Sequence, residues 1–243
     1  MLYRVLVGIA DDITLADVLR FKGGTCAAMR GYLNRFSVDL DFDFLGQLHS
    51  VPEVRGRIEK MVSSLGFEIY DESKKGIQFF LKYQAPPGKR NTLKIDASFP
   101  VPKSSHYDSF YFSDIDRTLG CQTIEDMCAN KLVAVLDRYE KYGSVAGRDL
   151  YDIHSFFSQE LEYDPDIIVE RRKVEVKVFL RELVAFVKKH FTETILNQDL
   201  NMLLPDQEFK RVRKILIPET IRFLEDAIKV LDAFSHPRVQ MPL

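Results

Sequence analysis

The chain has 243 residues, with 34 Lys and Arg against 36 Asp and Glu and a formal net charge of -2. That balance excludes a protein held on nucleic acid by a large excess of positive charge. With 46% hydrophobic and 29% charged residues, the composition excludes a mainly disordered or fibrous chain and suits one large domain or two smaller ones. Trp is absent, but 18 Phe and 10 Tyr supply aromatic packing volume.

Residues 1–19 carry apolar positions at helical spacing and predict an opening helix broken near Asp11-Asp12. Leu19 to Lys22 leads into Gly23-Gly24, a tight turn at a strand-to-helix junction, and Thr25 is expected to cap a helix from Cys26 to Leu33. Backbone N–H groups at such a junction can hold phosphate, yet paired glycines are also common connectors. Ser37 to Phe44 alternates strictly, as a half-buried strand does. Asp39, Asp41 and Asp43 therefore leave by one face, and Leu40, Phe42 and Phe44 by the other, which is the core side.

Three like charges in a stripe repel, and aspartate is depleted in strands. The stripe has two readings: a site for divalent cations, or a solvated face at a sheet edge. Residues 51–65 read as an amphipathic helix ended by Gly66. Phe67–Tyr70 and Ile77–Tyr83 form a predicted hairpin, and Thr92–Phe99 a further strand closed by Pro100 and Pro102. If that last strand lies beside the first acidic one, Asp96 becomes a third carboxylate for the same ions. Oxygen ligands of this kind favour Mg²⁺ or Mn²⁺ over zinc, and two such ions suit in-line phosphoryl or nucleotidyl transfer.

From about residue 120 nearly everything has helical period. Helices are predicted from Thr123 to about Tyr139, from Arg148 to Phe157, over 164–190 and over 206–235. The organisation is thus an α/β unit, 1–120, followed by a helical unit, 121–243. Lys131 and Arg138 are seven residues apart and share a helix face; Asp149 and Asp152 are neighbours three apart, and Arg148 is placed to pair with Asp152. Cys26, Cys121 and Cys128 have no CxxC spacing and read as small buried hydrophobes in a reducing cytoplasm. No apolar run approaches the roughly 18–20 residues that span a bilayer. His49, His106, His154 and His236 have no partners at ligand spacing and are assigned no chemistry.

Phe21-Lys22-Gly23-Gly24-Thr25, followed by Arg35-Phe36-Ser37-Val38-Asp39-Leu40-Asp41-Phe42, resembles the signature of the AbiEii/AbiGii nucleotidyltransferase toxins. These belong to the DNA polymerase β-like nucleotidyltransferase superfamily. Glu125 to Leu132 with Arg138 resembles the family's basic helix, and Arg148-Asp149-Leu150-Tyr151-Asp152-Ile153 its following acidic helix. The resemblance spans residues 19–157; the stretch before the glycine turn is short, which anticipates a truncated or differently packed start.

It implies an α+β fold, a polymerase β-like core of mixed sheet and flanking helices followed by a C-terminal helical bundle. It further implies that Lys22, Gly23, Gly24 and Thr25 hold nucleotide phosphates, that Asp39, Asp41 and Asp96 bind Mg²⁺ or Mn²⁺, and that Asp96 serves the acceptor hydroxyl. Lys131, with Arg138 or Arg148, would bind the triphosphate, and Asp152 or Asp149 would complete the active site from the helical unit. Asp43 is expected to lie behind the ligands or in solvent. The implied activity is transfer of a nucleoside monophosphate from an NTP to an acceptor, tRNA or another RNA among the candidates, in a toxin whose partner is a cognate antitoxin. Nucleotidyl or phosphoryl transfer to a small molecule or protein, and a silent binding module, are the rival readings.

Overall fold

A computed structural model describes residues 1–235 of the chain; His236 lies outside them. Two compact units are present, Met1–Met127 and Cys128–Leu243. The first is built on one seven-stranded mixed sheet.

The opening residues form α1 (Leu2–Asp11) and α2 (Ile13–Val18). The break between them falls at the expected place. Asp12 leaves the helical conformation and its carboxylate accepts from the N–H groups of Thr14 and Leu15 at 2.9 and 3.1 Å, an N-cap that starts a new helix. Strand β1 (Leu19–Lys22) then runs into α3 (Gly23–Met29). The helix begins two residues before the predicted cap: Lys22 is the N-cap, and Thr25 lies inside the first turn.

Strand β2 (Leu40–Phe44) follows, with Leu40, Phe42 and Phe44 at 0%, 1% and 3% exposure. Its apolar face meets Phe21 of β1, whose ring lies 5.4 Å from that of Phe42. Burying side chains of this size stabilises by about 1.5–3 kcal/mol each, which fixes the register and so which face the aspartates occupy. Helix α4 (Val51–Ser64) ends before Gly66, which has φ +81°. Strands β3 (Glu68–Glu72), β4 (Ile77–Lys82) and β5 (Thr92–Ser98) complete the anticipated set.

Two strands were not anticipated. No element is predicted from the sequence between Pro102 and Thr123, where β6 (Tyr107–Phe112) and β7 (Arg117–Gln122) form an antiparallel hairpin. The sheet order is β3-β4-β5-β2-β1-β7-β6. In it β2 is antiparallel to β1 and parallel to β5, while β7 joins β1 in parallel.

Helix α5 (Ile124–Tyr142) carries the chain from the first unit into the second. The second unit continues with α6 (Gly147–Ser158), α7 (Pro165–Arg172), α8 (Val176–His190), α9 (Glu193–Leu200) and α10 (Asp206–Ser235). The single helix expected over 164–190 is two, because Lys173 takes a left-handed conformation, φ +58°, and its N–H bonds the Val169 carbonyl. Leu132, Leu136, Leu150, Phe179, Leu183 and Leu216 lie in one buried cluster contributed by α5, α6, α8 and α10. Among the described residues, no helix is long and apolar enough to cross a membrane. All three cysteines are buried, with free thiols.

Candidate active site

The acidic centre of the first unit is made by strand pairing. Asp41 on β2 stands in parallel register with Asp96 on β5, beside the pairs Leu40↔Ile95 and Phe42↔Ala97. Adjacent strands lie roughly 4.8 Å apart and paired residues point to one face, so the two carboxylates are neighbours. Asp39 precedes the strand on that same side. Burial pushes the Asp41 carboxyl up, and the charges of Asp39 and Asp96 add to the rise, against Lys94 and Lys22.

Each acid has its own partners. Arg90 Nη2 donates to Asp39 Oδ1 at 3.1 Å. Asp96 Oδ2 accepts from the Gln78 amide at 3.0 Å and from the Lys94 ammonium. Asp43 differs in kind. It is 1% exposed and takes Lys22 Nζ at 2.5 Å, the Tyr107 hydroxyl at 3.1 Å and Gln122 Nε2 at 3.2 Å. It is buried, which removes the solvated alternative. Burial and the Asp43 charge raise the Tyr107 pKa, so the phenol stays a donor.

The glycine turn packs on this centre. Gly23 has φ +78°, and a Cβ placed there would lie 2.8 Å from Asp41 Oδ2. Only a residue without a side chain allows both the backbone conformation and the approach. A Cβ on Gly24 would collide with the Arg35 guanidinium. Thr25 is buried, and its hydroxyl donates to the Asp39 carbonyl at 2.5 Å while the Ser37 hydroxyl lies 2.8 Å away. Its proton thus ties α3 to the start of the acidic strand.

The second unit gathers the other charged residues. Lys131 Nζ on α5 lies 3.1 Å from Asp149 Oδ1 and 3.0 Å from Asp152 Oδ2, and Arg138 Nε donates to Asp149 Oδ2 at 2.8 Å. Both aspartates are buried. Asp152 faces Lys131 rather than the anticipated Arg148, which is exposed on α6. Burial alone would raise the Asp149 carboxyl; the Lys131 and Arg138 charges, with their hydrogen bonds, overturn that and bring its pKa down to about 2. On α8 and α10, Lys188 pairs with Glu225 and Arg211 with Glu208.

Gln78, Arg90, Tyr107 and Gln122 are contributors that sequence reasoning did not single out. They come from β4, β6, β7 and the loop before β5, far along the chain from β2. The aromatic run Tyr107 to Phe112 was the one signal in the sequence for the missing hairpin.

The family model for the nucleotidyl transferase AbiEii toxin of a type IV toxin–antitoxin system matches residues 4–227. The chain belongs to the AbiEii nucleotidyltransferase toxin family. It is a nucleotidyltransferase of the toxin–antitoxin kind, and the family implies a nucleotide substrate and an antitoxin partner. The crystal structure of a suspected nucleotidyltransferase from H. pylori superposes with a TM-score of 0.63 at 21% identity, covering 97% of each chain. That of JHP933 from Helicobacter pylori gives a TM-score of 0.54 at 21% identity, covering 97% of this chain and 95% of the other. At that identity the two likenesses speak to the fold, which they share with this chain. No curated protein matches it.

Proposed function

We propose that this chain transfers a nucleoside monophosphate from an NTP to an RNA acceptor, tRNA foremost, with Mg²⁺ or Mn²⁺ held by Asp39, Asp41 and Asp96. One observation carries the reading: Asp41 stands in register with Asp96 while Gly23 packs against the Asp41 carboxylate. The donor set fits a divalent ion. The acids are hard oxygen ligands; burial, with the charges of Asp39 and Asp96 adding to it, raises the Asp41 carboxyl, and a cation relieves that cost. When bound, the ions would supply charge stabilisation at the phosphates.

The chain's own residues do the rest. Gly23 and Gly24 bring bare backbone to the acids, where amide N–H groups can meet phosphate oxygens. Lys22, fixed on Asp43, adds positive charge beside them. Gln78 and Lys94 both bond Asp96 Oδ2, so Asp96 Oδ1 is the atom that takes the proton of the attacking acceptor hydroxyl. The acceptor oxygen then bonds the α-phosphorus and the bond to pyrophosphate breaks. Thr25 acts at one remove, by holding Asp39. Roles in the same reaction for Lys131, Arg138 and Arg148 on the triphosphate, and for Asp152 as an additional acid, are carried by the family resemblance.

The test is incubation of the protein with each labelled NTP, Mg²⁺ and total RNA. Label should enter RNA with at least one NTP, and Asp41→Ala should lower the rate at least about 100-fold, the scale of losing one electrostatic stabiliser of a transition state. No transfer by the wild type with any of the four NTPs sinks the proposal. Label in protein or in a small molecule instead of RNA would move the acceptor to the rival class.

A further inference from the structure

A cavity of about 430 Å³ opens in the first unit, walled by α1, α3 and the segment 35–38. Tyr3, Met29, Arg35, Phe36 and Ser37 are among its lining residues. Phe36 and Tyr3 are 55% and 46% exposed. Two rings are thus partly exposed at one cavity, where open apolar ring surface is unfavourable; the Tyr3 hydroxyl donates to Asp114, also in the wall, at 3.3 Å. Arg35 links this cavity to the glycine turn, since its guanidinium lies against Gly24. Ser37 and Val38 run directly into Asp39, whose carbonyl accepts from Thr25, another wall residue. The cavity therefore ends at the start of the acidic strand.

We propose that this cavity binds a nucleobase, stacked on Phe36 and Tyr3, with Arg35 on the attached phosphate. The volume lies within the usual range for small-molecule sites. An aromatic face accepts any base, because every base has a π-face. Arginine offers a planar fork that matches a phosphate and stacks on rings. The two sources of such a base are the donor NTP and the terminal nucleotide of the acceptor RNA. The inference rests on the nucleotidyl-transfer reading for its place in a reaction, but not for the binding itself.

Phe36 is on the surface, so Phe36→Ala leaves the core intact. With wild type and variant compared in the labelling reaction, KM for either the NTP or the RNA should rise roughly 5- to 100-fold, the scale of losing one stacked base. A rise for the NTP assigns the base to the donor; a rise for the RNA assigns it to the acceptor. Phe36→Tyr should restore the wild-type value, as stacking predicts. A second readout needs no turnover: 2-aminopurine riboside fluorescence should be quenched by the wild type and not by Phe36→Ala. If the wild type transfers label while neither KM nor quenching responds to Phe36→Ala, the cavity proposal is overturned and the reaction stands. If quenching responds but no label transfers, the cavity stands and the reaction fails.

Discussion

Gly23 places two demands on one residue. Its φ of +78° lies where an L side chain costs about 1–2 kcal/mol, and a Cβ there would meet the Asp41 carboxylate at 2.8 Å. Gly23→Ala should therefore lower stability by about 1–2 kcal/mol in urea denaturation, while label transfer falls much further, by about 100-fold. The excess follows because the flexible partner that gives way is Asp41, and displacement of a reacting group by an ångström costs about that much. An activity loss no larger than the stability loss predicts would show that Asp41 can shift without consequence. The spacing of Asp39, Asp41 and Asp43 was legible in the sequence because a strand has a period of two. Their differing environments were not legible. The same spacing leaves Asp39 half-exposed beside Arg90 and buries Asp43 under Lys22, Tyr107 and Gln122, since the distinction is made by strands that arrive from elsewhere in the chain.

At the scale of elements, α5 and α6 are joined by charge. Lys131 and Arg138, two turns apart on α5, converge on Asp149 of α6. The carboxyl titrates at about 2 in the folded protein against its ordinary 3.8, so folding favours its ionised form. The resulting stability is complete above about pH 4 and is lost as pH falls through about 2. A shift of that size corresponds to roughly 2 kcal/mol. Urea titrations between pH 6 and pH 2 should show that loss in the wild type, and Asp149→Asn should remove this part of the slope while being less stable at neutral pH. A wild-type slope in the variant would assign the acid sensitivity to other carboxylates. Periodicity made most helices and β1 to β5 legible. It failed at β6 and β7, because β7 joins the sheet through Phe21↔Cys121, a parallel pairing across a hundred residues that no local pattern announces. It also ran α7 and α8 together, because the break falls at Lys173, where no Gly or Pro marks a stop.

For the molecule as a whole, the near-balance of 34 basic and 36 acidic residues constrains how any RNA is held. Five cations are already held in ion pairs: Lys22 on Asp43, Lys94 on Asp96, Arg90 on Asp39, and Lys131 and Arg138 on Asp149. On the proposed reading, an RNA acceptor would be gripped by a few local contacts rather than by a broad basic surface. Each phosphate neutralised on a single strand contributes about -0.7 to the slope of log affinity against log salt. Two such contacts, Arg35 and one more, give a slope of about -1.4. Binding of labelled tRNA followed from about 50 to 200 mM salt should therefore weaken only several-fold. A slope steeper than about -4 would require six or more phosphate contacts, and so an extended basic surface; recognition by stacking and metal-held phosphates would then be the wrong account of how an RNA acceptor is held.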